Sequence, residues 1–536
     1  MPQGLADESS GARPALLQTA VVGSVRARSW WTLAIVCGAV FMLMLDMTIV
    51  AAALPSIQAS FRTSLSGLQW VIDAYTLPVA ALLMTTATLG DRIGRRRLFL
   101  AGIVIFTIAS AGCAVAADIS WLNASRSVQG IGAALLLGVS LPLIAAEFPE
   151  AHRRARAIGI YGAVLASATA LGPLVGGALV DALGWQSIFL INLPVGVITF
   201  VFATKRIGES VDASGEPVDW AGTALLTTGL FTGVLALIEG NTWGWQSPGV
   251  LALAVTAGSS LTGFTAWQLR SAHPMLDLRL LLRPAFGSLV ICAFCSAATL
   301  IAATNYFALY LMNALDFTPL QAGLRILPLT LAGLVSAPIA ALTHHRVAAR
   351  WSIPLSLVSI AAGMELCSRV GAHASWVEFI PGLVLAGLGL GAAIALTAQF
   401  ALGSVTESRS GMATGMINSA RQIGIAVGVA GLGAMFTRTV VAAAEPMLGH
   451  LPVGTLSVAV LPEQGAALTE ALGAGAGLRI LDAVPAQFEM AKPALADVAL
   501  TTTSSGLGTV MSVGAGAAAV AAVISFIALR WRSTPE

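Results

Sequence analysis

Apolar stretches of about 20 residues, each bounded by charged or turn residues, recur along the whole chain and predict a series of membrane-spanning helices. The first seven cover Trp31–Leu54, Trp70–Leu89, Leu98–Ala117, Trp121–Ile144, Ala157–Val180, Ile188–Ala203 and Trp220–Ile238. The second seven cover Val250–Leu269, Phe286–Leu311, Ala322–Leu342, Ile353–Cys367, Phe379–Ala401, Met412–Phe436 and Leu507–Leu529. The expectation is therefore an all-α membrane protein of 14 spans. One connection is long, Thr437 to Ser505, and its Ala, Gly and Leu content with scattered acids fits either a partly helical cap or a mobile loop. Many spans carry glycines three or four residues apart, as at Gly424, Gly428 and Gly431, where small residues let helix backbones approach in lipid.

The distribution of basic residues orients this series. With a cytoplasmic N-terminus, 20 of the 28 Lys and Arg fall in inner segments, five in outer ones, and Arg126, Arg325 and Arg421 fall within or at the edge of spans. That bias places both termini in the cytoplasm and supports an even number of spans. Composition agrees: 57% of residues are hydrophobic and 10% charged, against roughly 25% charged in a soluble domain, and mean hydropathy is +0.84. Lipid must be the solvent for most of the chain. The net charge of +2 gives no reason to expect nucleic acid as a partner. The polar segment before Trp31 superficially resembles a secretory leader, but the apolar run after it is too long and contains Asp46, so it is read as a retained first span. Five cysteines in apolar runs describe neither a disulfide framework nor a metal site, and Cys292 with Cys295 are read as small packing residues.

An ionised side chain near the bilayer centre costs roughly 2.5–3.5 kcal/mol on insertion scales, so each one retained in a span is a candidate functional group. From the 1.5 Å rise per residue, Asp46 lies about 12 Å, Asp73 about 5 Å and Arg126 about 8 Å below the outer ends of spans 1, 2 and 4, close enough in depth to meet. Asp46 is expected to be a protonatable switch with Arg126 its counter-charge and Asp73 a further member. The alternatives are a permanent structural ion pair, and an Asp73 wetted at the interface. Arg421, about 13 Å above the inner end of span 13 and flanked by Asn418 and Gln422, forms an amide-rich positive patch near the midplane. It either lines a substrate cavity or bonds helix backbones between the halves. Glu365 reads as an interfacial residue of span 11. On the cytoplasmic side, Gly90, Asp91, Arg92, Gly94, Arg95, Arg96 and Arg97 connect spans 2 and 3; Asp91 ends one helix, and can cap the next while pairing with arginine.

These residues carry a resemblance to the major facilitator superfamily, and within it to the fourteen-span drug:proton antiporters. Leu45, Asp46, Thr48, Val50, Ala53, Leu54 and Pro55 resemble the acidic span-1 motif, Leu89 to Arg97 the superfamily's latch loop, and Arg126, Gln129, Gly130, Ile131, Gly132 and Ala133 the span-4 motif associated with proton coupling. Gly172, Pro173, Gly176 and Gly177 resemble the span-5 pattern of antiporters. Trp185, Phe189, Ile191, Asn192 and Pro194, and then Gly411, Met412, Asn418, Arg421, Gln422 and Gly424, are similar to segments of the fourteen-span branch. Ala51, Ala87, Gly138, and Met312 with Asp316 depart from the usual residues, which leaves substrate preference open. The resemblance implies a major facilitator fold: a bundle of six helices in residues 31–204, a linker with two extra helices in 205–285, and a second six-helix bundle in 286–529 that includes the external loop 437–505. Residues 1–30 and 530–536 would be cytoplasmic tails, and Gln129, Asn418, Arg421 and Gln422 candidates for the substrate cavity.

No cofactor or metal is expected. A P-loop needs Gly-Lys-Ser/Thr, and Lys205 and Lys492 follow Thr204 and Ala491, so the energy should come from an ion gradient, with protons suiting buried acids and sodium left open. None of the six histidines forms a metalloprotease pair, and no nucleophile and base can be assigned, so an enzyme is not expected. The reading is a monomeric exporter of drug-like or antibiotic-like organic molecules in a bacterial cytoplasmic membrane, coupled to inward proton movement by alternating access. The alternative is an importer of a small solute.

Overall fold

Helix is the form in which a chain this apolar can satisfy its own backbone donors and acceptors inside lipid. The computed structural model describes residues 12–210, 217–272, 274–343, 346–403, 410–449, 462–483 and 492–530. The first helices are α1 (Ala12–Phe61), α2 (Leu65–Ile93), α3 (Arg95–Ala114), α4 (Ile119–Glu147) and α5 (Ala151–Leu183), then the short α6 (Ser187–Leu190) leading into α7 (Asn192–Arg206). A hairpin of α8 (Trp220–Trp243) and α9 (Pro248–Arg270) follows. After the short α10 (Leu278–Leu281) come α11 (Pro284–Ser296), a π-helical turn at Ala297–Ile301 and α12 (Ala302–Asn313), which form one continuous rod. The chain ends with α13 (Pro319–Thr343), α14 (Ala349–Ser368), α15 (Ile380–Gly403), α16 (Ser410–Gly449), α17 (Pro462–Gly473) and α18 (Lys492–Arg530). Short polar side chains start several of them: Ser64, Asp118, Asp219 and Ser247 each accept a bond from a free amide in the first turn.

Thirteen of the helices among the described residues are long and apolar enough to cross a membrane. The remaining expected span, 157–180, falls inside α5, whose described apolar stretch Leu171–Leu183 is shorter. Helices α1 to α7 pack together, chiefly α2 and α3 on α4, α5 and α7 on α1, and α7 on α3. A second group forms from α11 to α16 with α18, through α13 on α15, α14 on α15 and α18, and α16 on α11 and α18. The two groups meet along α5 against α13 and α2 against α16, and α8 joins the hairpin to the assembly by packing on α2 and α16. The outward faces are apolar: Ile108, Val255 and Leu342 are 67%, 70% and 73% exposed, as a lipid-facing wall requires.

The region between residues 437 and 505 is more helical than a mobile loop. Helix α16 continues past Phe436 to Gly449, α18 begins at Lys492, and α17 and a 3-10 turn, Gly477–Ala483, lie between them. Gly475 and Gly477 take positive φ, +79° and +53°, where a Cβ would be strained. This lets the chain lay two backbone carbonyls against both halves: Gln58 on α1 donates to Ala474 O at 2.7 Å, and Asn313 on α12 donates to Gly475 O at 2.7 Å and to Gln58 Oε1 at 3.2 Å. Residues 450–461 and 484–491, and residues 1–11 and 531–536 of the expected tails 1–30 and 530–536, lie outside the described residues, and from Ala12 the first tail is part of α1.

Candidate functional site

The first group of helices encloses a charged core. Asp46 on α1 and Arg126 on α4 are each 1% exposed, and Arg126 Nη1 donates to Asp46 Oδ2 at 2.6 Å. The other carboxylate oxygen accepts from Gln129 Nε2 at 3.0 Å and from Asn192 Nδ2, at the start of α7, at 2.7 Å. Gln129 Oε1 also accepts from Arg126 Nη1 at 2.7 Å, which fixes the orientation of that amide. Ser110 on α3 accepts from both amides, at 2.8 and 3.3 Å, and donates to Phe106 O. Arg126 Nε donates to Val71 O on α2, and the guanidinium lies 4.3 Å from the centre of the Tyr75 ring and 5.7 Å from that of Phe189. Every partner of the Asp46 carboxyl group is a donor. A proton arriving on either oxygen would face an N–H group, so protonation has to break at least one of these contacts.

Glycines make the enclosure possible. A Cβ on Gly130 would collide with the Tyr75 carbonyl oxygen of α2, and one on Gly132 would stand 2.7 Å from Phe106 N of α3, so these residues bring α4 close enough to seal the pair. Of the three charged groups expected to meet, the structure joins Asp46 and Arg126 and leaves Asp73 apart. Asp73 is fully buried on α2, its Oδ1 accepts from Thr76 at 3.4 Å, and its Oδ2 has no hydrogen-bond partner. One turn away, Gln69 donates across the interface to Tyr306 Oη and Val429 O at 3.1 and 3.2 Å. Asp73 therefore belongs to the contact between the two groups of helices and not to the Asp46 network. Gln129, expected in a substrate cavity, is fully enclosed beside Asp46. A serine in an apolar span signals nothing by itself, so the sequence does not reveal Ser110, and the motif that contains Asn192 names no partner for it.

The other cavity candidates stay together on α16. Arg421 Nη1 donates to Asn418 Oδ1 at 3.0 Å, one turn back, and Gln422 Nε2 lies 3.9 Å from Met47 Sδ of α1. Ser419 Oγ, Arg421 Nε and Gln422 Oε1 are buried without a hydrogen-bond partner. Glu365 pairs with Arg369 at 3.0 Å on the surface.

On α5, the four motif residues make two helix crossings. A Cβ on Gly172 would overlap Thr48 and one on Gly176 would stand 2.6 Å from the Ile49 side chain, both on α1; one on Gly177 would meet the Pro319 carbonyl of α13, and Gly323 of α13 returns the contact at the Pro173 carbonyl. The loop between α2 and α3 is narrower than expected. Asp91 and Arg92 lie in the last turn of α2 and Gly90 abuts Val139. Asp91 accepts from Arg95 Nε at 2.8 Å but does not cap α3. That position goes to Glu209, from the segment after α7, which accepts from the Arg96 amide at 3.1 Å and lies 3.6 Å from Arg97 Nε. Arg96 Nη2 donates to Thr204 O, and Gly94 at φ +113° leaves the room that the Glu209 carboxylate fills.

Residues 36–429 match the family model of the Major Facilitator Superfamily. Among curated relatives, the "Multidrug resistance protein Stp" of Mycobacterium tuberculosis is 36% identical over 417 residues, covering 76% of each chain. The "Tetracenomycin C resistance and export protein" of Streptomyces glaucescens is 30% identical and covers 94% of this chain and 92% of its own. The "Probable actinorhodin transporter" of Streptomyces coelicolor is 35% identical over 76% of this chain and 73% of its own. A bacterial homologue of the human lysosomal transporter Spinster, solved in an inward-facing and unoccupied conformation, superposes with a TM-score of 0.59 at 18% identity, over 94% of this chain and 97% of that one, a likeness of fold.

Proposed function

The chain belongs to the major facilitator superfamily, and on that premise we propose that it exports drug-like or antibiotic-like organic molecules from a bacterial cell in exchange for protons. The relatives named for resistance and export support the cargo class and the direction. The observation that carries the coupling is the Asp46 carboxylate held by Arg126, Gln129 and Asn192 out of contact with solvent. Protonating Asp46 removes the charge that Arg126 was paired with and turns one acceptor into a donor. The four helices tied to that carboxyl, α1, α4, α7 and α3 through Ser110, then lose a common anchor, which shifts the balance between two packings of the bundle.

The moving bodies we assign are residues 31–204 and 286–529, which rock about the α5–α13 and α2–α16 contacts, with both termini cytoplasmic. Cargo would bind between them beside Arg421, and Gly177 and Gly323 would let α5 and α13 slide on each other's backbone. The loop from Gly90 to Arg96, braced by Glu209, would hold the inner side.

Transport into and out of proteoliposomes with an imposed pH difference tests this reading. Asp46→Asn should abolish pH-driven movement of an accumulated dye while expression is retained, with a lowered thermal midpoint because Arg126 loses its counter-charge. Full activity in that variant would remove Asp46 from the mechanism, and uptake in the direction of the proton gradient would establish an importer.

A further inference from the structure

The polar cluster on α16 faces a definite place. Gly415 approaches Met84 of α2, Gln422 approaches Met47 of α1 and Gly433 approaches Gln69 of α2, so one side of α16 is turned to the first half of the molecule. Gly424 and Gly428 approach the backbone at Phe294 and Ala298, so another side is turned to α11 and the π turn of its own half. At 100° per residue, Arg421 falls about 20° from Gly428, at the edge of the α11 side, and Asn418 and then Gln422 lead round from it to the side turned to the first half. Its seam therefore opens between α1 and α11, the boundary between the halves.

Arg421 is partly exposed, and among the described residues no carboxylate lies within ion-pair distance of it. Its one side-chain partner is neutral Asn418, and its Nε joins Ser419 Oγ and Gln422 Oε1 as buried atoms without a partner. Three unsatisfied polar atoms within four residues are costly in a membrane protein unless something else bonds them. A guanidinium has five donors in a planar fork suited to a planar oxyanion, and Gln422 and Ser419 can take up hydroxyl or carbonyl groups beside it.

We propose that this seam is the docking site for an organic anion, a carboxylate or an acidic phenolate on an aromatic body, whose charge pairs with Arg421 and whose ring lies against Met47. The proposal rests on the exporter reading for its place in the cycle and adds the charge of the cargo. It also makes α1 the wall between the two ligands: Asp46 points into the first bundle toward Arg126, while the next residue, Met47, meets Gln422 of the second half. Movement of α1 on protonation would be felt directly at the ring of the bound anion. Asp73, near the interface, has no such opening, being fully buried.

Three fluorescent probes with one ring system test this in purified protein: 9-anthracenecarboxylate, its methyl ester, and 9-(aminomethyl)anthracene. The wild type should bind the anion about tenfold more tightly than either of the others, about 1.4 kcal/mol. Arg421→Gln should erase that preference while leaving the ester's affinity within about twofold. Arg421→Lys, which keeps the charge, should retain part of the preference even if the glutamine variant does not fold. Equal binding of the three probes to the wild type, or a preference that survives in Arg421→Gln, or one that vanishes in a folded Arg421→Lys, would overturn the proposal. Binding without membranes separates the two readings: a protein that pumps protons against solute but shows no anion preference defeats only the docking site, and one that prefers the anion but imports it defeats only the exporter.

Discussion

At the scale of single residues, the buried pair and its amides differ in what they contribute. Removing one partner of a buried ion pair leaves an uncompensated charge, which typically costs about 3–5 kcal/mol, whereas replacing both by apolar groups of similar size is often neutral. Arg126→Met should therefore lower unfolding stability by about that much, and the double variant Asp46→Leu with Arg126→Met should recover most of the loss. Thermal or denaturant unfolding in detergent reads this directly. A double variant no more stable than Arg126→Met would show that the neighbouring amides, and not the paired charge, set the stability of the core. Asn192→Leu takes one donor from Asp46 and one from Ser110, and should cost about 1–3 kcal/mol. The charges of this network were legible in the sequence because an acid or arginine in an apolar run is conspicuous. Ser110 was not, since a hydroxyl that can bond its own helix carbonyl gives no sign of a distant partner. Gln129 was legible as polar and unreadable as to direction: depth follows from counting residues, but the side of α4 that turns inward is fixed by neighbours.

Whole helices were legible where lipid dictates them and less so where water takes over. The hydropathy pattern marks the apolar centre of each span, which is why 31–54, 412–436 and 507–529 fall inside longer helices. The ends of α16 and α18 continue beyond the expected spans through residues such as Thr437, Arg438, Glu445, Lys492 and Asp497, whose polarity reads as loop although their backbone is helical. Contacts between helices through glycine are the reverse case: the spacing announces close approach, and the structure supplies the partner. Gly177→Val places a branched side chain against the Pro319 carbonyl and, at 2.8 Å, Leu320 Cα, neither of which can swing away as a side chain could. The α5–α13 crossing should open, and transport should fall by at least about tenfold with expression retained. Gly159→Val on the same helix, where a Cβ meets nothing within 4 Å, is the control and should stay near wild type. At the loop between α2 and α3, Glu209→Gln keeps the bond from the Arg96 amide but loses the ion pair with Arg97. Because Arg97 is largely exposed, the stability change should be under about 1 kcal/mol, so a large drop in transport from this variant would assign the pair to gating and not to folding.

For the molecule as a whole, the resemblance implies two bundles with two helices between them, and it implies nothing about the contact that joins α1 to α12. Gln58 and Asn313 look like ordinary amides at the ends of spans 1 and 9, and the segment from Ala474 to Gly477 looks like part of a long connection. Their meeting depends on the fold of that connection, which hydropathy does not describe. In the structure, this segment bridges α1 of the first group to α12 of the second, with Gly475 against Leu309 and Gly477 against the Asn313 backbone. If the chain exports by rocking in the proposed orientation, the outer ends of the two groups must separate, so these bonds must break or the segment must leave with one side. Gly475 and Gly477 each approach α12, and Thr437 of α16 donates to Gly473 O, so the second group holds the segment at more points, and the contact with Gln58 is the one that should part. Cysteines placed at Gln58 and Asn313 should then be joined by a short bifunctional thiol reagent in the resting protein, and the link should stop transport in proteoliposomes until it is cleaved. If linked protein transports at the rate of the unlinked form, the outer ends do not separate during the cycle, and the passage must open along another seam between the groups.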